Sequence, residues 1–238
     1  TTLDRNKLIG SITLNYEITD WLTAMGRVGL DFNLDQFETR NNPIDALGIN
    51  QGFYSNELSK NQVNNNEFLL TVHKDKIFTS PISVRLSVGG TQWQRRLYGI
   101  RGQSGRWVNP WLFNFNNFQD PLTVPAPREF RYDKNINSLY GFLNLSFQDW
   151  IFLELTGRND WSSALPIDNN SYFYPSSSLS LILSESLKLP QWWSFWKVRG
   201  AYAKAASDTD PFQVDFVYST GNFGNVQTAS LPGTIPPI

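Results

Sequence analysis

The stretch "FQDWIFLELTGRND" (residues 147–160) decides the fold. From Ile151 onward an apolar residue or glycine stands at every second position (Ile151, Leu153, Leu155, Gly157), with Phe152, Glu154, Thr156, Arg158 and Asp160 between them. A period of two is that of a β-strand, whose side chains alternate between faces. This strand therefore has one apolar face and one face rich in charge.

Working outward, the same alternation recurs near residues 8–18, 22–34, 67–72, 82–92, 139–147, 151–158, 177–184 and 196–202, which gives about eight strands. Within those limits the charges, among them Arg27, Asp31, Glu67, Arg85, Glu154 and Arg199, all keep to the parity opposite the apolar residues. An Arg or Lys at the middle of a bilayer costs roughly 2–4 kcal/mol, so strict exclusion suits a face that meets lipid. The core of a β-sandwich would exclude charge as well.

The connections discriminate better. Those after the first, third, fifth and seventh strands are short or moderately short ("TD", "HKDKIFTSP", "QD", "SESLKLPQWWSF"). The alternate ones are longer: residues 36–66, residues 93–138, "NDWSSALPIDNNSYFYP", and an open tail from about residue 205. In an up-and-down meander this puts every short turn on one side and every long loop on the other, as in outer-membrane barrels. A soluble sandwich with Greek-key crossings has no reason to show it.

Composition agrees with this reading and excludes others. The 238 residues carry a net charge of -1, which gives no electrostatic footing for nucleic acid. Charged residues are 17%, aromatics 15% and mean hydropathy -0.35. No apolar run is long enough for a membrane helix, yet alternating strands can cross a bilayer without raising mean hydropathy. Cys is absent, so neither a disulfide framework nor a thiolate metal site is expected. His73 is the only histidine and falls in or beside a short turn, where a hydrolase triad is not expected. The glycines of "GNFGN" and "GIRGQSG" lack the strand and helix context of a phosphate loop. No enzyme is expected.

Three blocks in order, "YGFLNLSFQDWIFLELTGRNDWSSALP", "NNSYFYPSSSLSLILSE" and "WKVRGAYAKAASDTDPF", resemble the barrel of the SusC/RagA-like TonB-dependent outer-membrane transporters of Bacteroidetes. The likeness rests on Arg158, Asp160, Ser162 and Ser163 at a strand end, on Phe173, Pro175, Ser176 and Ser178 opening the next strand, and on Lys197 and Arg199 with Tyr202 beyond them. Trp161 departs from the glycine that many members carry there.

The resemblance implies an all-β, antiparallel, up-and-down transmembrane barrel of which residues 1–238 are one portion, about eight strands of roughly 22. The plug domain, the TonB-interacting segment and the C-terminal strands are then expected outside this chain. It also implies a multi-pass location in the bacterial outer membrane and active import of oligosaccharides or peptides, with a SusD-like lipoprotein and the TonB complex as partners. A recruited structural subunit of a secretion or assembly complex, and a soluble β-sandwich carbohydrate-binding or adhesin module, are the alternatives.

Candidate functional residues fall in two groups. Arg95, Tyr98, Arg101, Arg106, Trp107, Trp111 and Phe113 lie in what reads as a long extracellular loop, where Arg and aromatics suit ligand or lid contact. Arg158, Asp160, Ser162, Ser163, Lys197 and Arg199 carry the family motifs and are expected to face the lumen in a structural role. No cofactor is expected, and calcium at Asp208 and Asp210 of "SDTDP" is weighed against lumen-facing charges that need no ion. Trp21 and Trp150 have the parity of the charged face and are expected to cap their turns from within.

Overall fold

The computed structural model describes residues 1–41, 52–77, 80–104, 108–109, 112–117, 124–186, 195–213, 219–223 and 226–230. It is all-β, and most of the described residues lie in strands. The strands are β1 (Thr2–Thr19), β2 (Leu22–Asn41), β3 (Phe53–Lys74), β4 (Ile82–Gln103), β5 (Arg128–Phe147), β6 (Ile151–Ser162), β7 (Ser171–Ile182) and β8 (Lys197–Ala203). They form one antiparallel sheet in chain order, with β1 and β8 as its two edges. The sheet is a meander and is not closed, and among the described strands it has none of the crossings a Greek-key sandwich needs. A separate hairpin, β9 (Ser219–Phe223) with β10 (Val226–Ser230), occupies what the sequence reads as an open tail.

Register carries the alternation of single strands across the sheet. Phe147, Ile151, Leu181 and Val198 form one row, and Leu145, Leu153, Leu179 and Gly200 the next. On the other face Tyr140, Arg158 and Tyr174 line up, as do Ser138, Asp160 and Tyr172. A slip of one residue would move every apolar side chain to the polar face, so each pairing is strongly specified.

The burial pattern reverses that of a water-soluble protein. Ile12 is 79% exposed and Leu14 71%, while Asp160 is 5% exposed and Ser162 1%. Among the described residues only Tyr54, Tyr140 and Ala164 are buried hydrophobics, whereas ten polar or charged residues are buried. Exposed apolar side chains recur along the apolar row of strand after strand, including Val28, Phe68, Val88, Leu139 and Leu155. A contiguous apolar surface on this scale is not what a soluble monomer presents to water.

The strands run well past the limits that alternation sets, at one end only. β3 extends over Phe53–Lys74 and β5 over Arg128–Phe147, against the expected 67–72 and 139–147. The reason lies in the apolar rows themselves. After Leu34 the row on β2 continues as Gln36, Glu38 and Arg40, and beyond Leu139 on β5 it becomes Asn137, Asn135 and Asp133. There the former apolar row is polar while the other parity keeps apolar members such as Phe37, Ile136 and Phe130, so the contrast between the faces disappears although the backbone ladder continues. The pattern marks the apolar band rather than the strand.

The chain divides into two compact units, one of Thr1–Ser11, Gly29–Asn64 and Gln94–Asp133, the other of Ile12–Val28, Asn65–Trp93 and Lys134–Ile238. The first holds the polar extensions of β2 to β5, and the second holds most of the apolar rows and all of β6 to β8.

The β5–β6 turn shows why these connections can be so short. Gln148 (φ 47°) and Asp149 (φ 58°) both take the left-handed conformation that hairpin turns demand, and the Trp150 N–H donates to the Phe147 carbonyl at 3.2 Å. Trp150 belongs to this turn, and its ring lies edge-on to Phe147 of the apolar row, with centroids 6.4 Å apart. The cap from the charged face is thus not seen, because strand phase does not extend into a turn. Trp21 is half exposed and belongs to the two-residue β1–β2 turn in the same way.

Candidate functional site

The polar face of the second unit carries a ladder of paired side chains, built outward from β6. Alternation puts Arg158, Asp160 and Ser162 on this face, and register sets Arg158 between Tyr140 and Tyr174. The Arg158 guanidinium donates from Nε to Asp160 Oδ1 at 2.7 Å and from Nη2 to Ser138 Oγ at 2.9 Å, and lies 5.8 Å from the centre of the Tyr140 ring. The Tyr174 hydroxyl donates to the other oxygen of Asp160. The buried carboxylate is thereby satisfied by one charged and one neutral donor, which burial of a charge requires.

From Tyr140 the ladder continues across the sheet. Its hydroxyl donates to Glu67 at 2.6 Å, Glu67 pairs with Arg27 at 3.4 Å, and Arg27 Nε donates to Thr13 Oγ1 at 3.2 Å. Seven residues thus link β1 to β7 along one face. Gly89 makes room for it: a Cβ there would stand 3.1 Å from the Tyr140 ring and 2.4 Å from the Phe68 carbonyl oxygen. The half-exposed pairs contribute little each, roughly 0–1 kcal/mol, so the ladder's main effect is to fix orientation.

A second cluster ties down the chain beyond β8. Lys134 Nζ pairs with Asp208 at 2.9 Å and donates to the Thr209 carbonyl at 2.8 Å, and both charged side chains are about nine-tenths buried. Ser162 Oγ donates to the same Asp208 carboxylate and accepts the Ala164 N–H at 3.2 Å. Ser163 and Asn135 exchange two hydrogen bonds of 2.9 Å. Both serines of the motif therefore brace the end of β6. The Asp208 carboxylate, a calcium candidate with Asp210, already has a cation in the Lys134 ammonium.

The remaining expected residues are distributed otherwise. Lys197 and Arg199 lie on exposed β8, Arg199 opposite Ser180, where it borders a cavity of about 550 Å³ together with Arg85, Glu154 and His73. The ladder does not include them. Arg95, Tyr98 and Arg101 are not in a loop but in β4, because the chain stays in the sheet after its apolar row ends. Alternation then sets Tyr98 on the face opposite Arg95 and Arg101, so the three do not converge. Arg95 Nε donates to Asn61 at 3.0 Å and its guanidinium lies 5.3 Å from the Tyr132 ring centre. Phe113 lies 6.5 Å from Tyr54 and under the Arg40 guanidinium at 5.2 Å. Arg106, Trp107 and Trp111 lie outside the described residues.

Tyr140, Tyr174, Glu67 and Lys134 are the members that the motif blocks do not single out. Parity places each on the polar face, but their partnership depends on register between strands, which no single strand encodes.

The sequence matches no protein-family model and no curated protein. The backbone, by contrast, superposes on a chain of the RagAB peptide importer in its "closed-closed" state with a TM-score of 0.85, over 99% of this chain. Its fold is that of a barrel segment. Further likenesses are to the RagAB peptide transporter (TM-score 0.83, 12% identity, 98% of this chain) and to the importer in its "open-open" state (0.83, 14%, 98%). Identity to the first is 14%, so the likeness is one of fold. This barrel segment spans 26% of the length of each of those chains.

Proposed function

We propose that this barrel segment belongs to an outer-membrane importer of peptides, working with a SusD-like surface lipoprotein and driven through TonB. One observation carries the reading: on strand after strand one parity exposes large apolar side chains, while the side chains buried on the other parity are mostly polar. Such a sheet suits lipid on one side and a wet passage on the other. The apolar row of β1 from Leu8 to Ile18 has ten residue steps, which at 3.3 Å per residue and a tilt of about 40° gives roughly 25 Å, the height of an outer-membrane apolar band.

Peptide is chosen over oligosaccharide because the structural neighbours are named as peptide importers. The polar face supplies Arg, Glu and Tyr groups suited to peptide termini and amides, and no bond in the cargo need be made or broken. Deleting the gene should abolish uptake of fluorescently labelled oligopeptides, and restoring it should recover uptake. Undiminished peptide uptake in the deletion strain would overturn the proposal.

A further inference from the structure

The ladder borders a cavity of about 500 Å³, within the range of small-ligand sites. Leu69, Phe142 and Tyr174 give it an apolar and aromatic lining, while Glu67, Arg158 and Lys204 bring charge. Lys204 comes from the segment after β8, which is fixed at two points. Its own N–H donates to the Pro175 carbonyl at 3.1 Å, and four residues later Asp208 is held by the buried Lys134 at 2.9 Å.

Charge accounting singles out Lys204. Glu67 is matched by Arg27 and by the Tyr140 hydroxyl, and Arg158 by Asp160. Lys204 has no acidic partner among the described residues and is exposed. The cavity thus presents one uncompensated ammonium beside an aromatic and aliphatic surface.

We propose that this cavity is a subsite for the C-terminal residue of a peptide, with its α-carboxylate on Lys204 and an apolar side chain against Leu69, Phe142 and Tyr174. This deepens the import reading and rests on it. A charge-assisted hydrogen bond to a carboxylate is stronger than a neutral one and is lost when the carboxylate becomes an amide.

The test is calorimetry on the full-length protein in non-ionic detergent, with N-acetyl-Leu-Phe as free acid and as C-terminal amide. The acid should bind about tenfold more tightly than the amide, the ratio expected of one such bond. Lys204→Met should remove the difference by weakening binding of the acid to that of the amide, and Lys204→Arg should retain it. No binding of either ligand, equal binding of both, or a preference that survives Lys204→Met would overturn the subsite. Peptide uptake by cells that persists alongside any of those results leaves import standing without the subsite. A Lys204-dependent preference in a protein that supports no peptide uptake refutes import and leaves a carboxylate-selective cavity.

Discussion

Arginine in place of Leu155 separates a lipid-facing surface from one that meets water. Leu155 lies on the apolar face of β6, opposite Leu143 and Ser177, and is 39% exposed. Four residue steps separate it from Ile151 at the start of the strand. At 3.3 Å per residue and a tilt of about 40°, that is roughly 10 Å above the turn-side edge, near the middle of a band about 25 Å tall. An Arg at that depth costs about 2–4 kcal/mol, or roughly 30- to 700-fold in the folding equilibrium. On a face open to water the same exchange at a part-exposed position stays within about 0.5 kcal/mol. Glu154→Arg is the matched control, one residue away on the opposite face. The assay is urea titration of the intact protein in lipid vesicles, with the folded fraction read from heat-modifiable gel migration. Leu155→Arg should lower the midpoint by the equivalent of 2–4 kcal/mol and Glu154→Arg by much less. A Leu155→Arg midpoint equal to wild type, or equal damage from the two changes, would refute the assignment of the faces.

Three further outcomes are expected. Gly89→Ala should destabilise by about 1–3 kcal/mol in the same titration, because its Cβ meets backbone at 2.4 Å, whereas Gly26→Ala, with nothing within 4 Å, should be close to neutral; equal effects would show that close approach is not why Gly89 is glycine. Gln148→Asn with Asp149→Gly should raise stability by about 0.5–1 kcal/mol, since both positions have positive φ, and a fall in the urea midpoint would contradict the turn geometry. The Asn117 side chain accepts from the Val108 and Asn109 N–H groups and donates to the Asn109 and Leu112 carbonyls. Asn117→Ala should therefore speed amide exchange at Val108 and Asn109 at least tenfold, the equivalent of about 1–3 kcal/mol locally, and unchanged protection would show that the loop is held by other means.

What the sequence makes legible follows from where a period exists. Ile151, Leu153 and Leu155 against Glu154, Arg158 and Asp160 reveal a strand and both its faces, because within the apolar band one side meets a different medium from the other. Beyond Leu34, Phe68 and Leu139 that difference vanishes, and so do the outer halves of β2, β3 and β5. The same loss turned Arg95, Tyr98 and Arg101 into an apparent loop cluster, although strand geometry sends Tyr98 to the other face. Arg158 and Asp160 are legible as a pair because two residues in one strand share a face. Their links to Tyr140, Ser138 and Tyr174 depend on register between strands, and tyrosine suits either face. Lys134 and Asp208 are further removed still: 74 positions apart, they are joined by the path of an irregular segment that has no period at all.

Spin labels placed one at a time at residues 151–158 of the full-length protein in bilayers report directly which face of β6 meets lipid. This chain contains no cysteine, so each introduced thiol reports without background from it. Labels at 151, 153 and 155 should relax faster with oxygen dissolved in lipid, and labels at 152, 154 and 156 with a water-soluble nickel chelate, alternating residue by residue. Nickel accessibility on both parities, or the opposite alternation, would contradict the account.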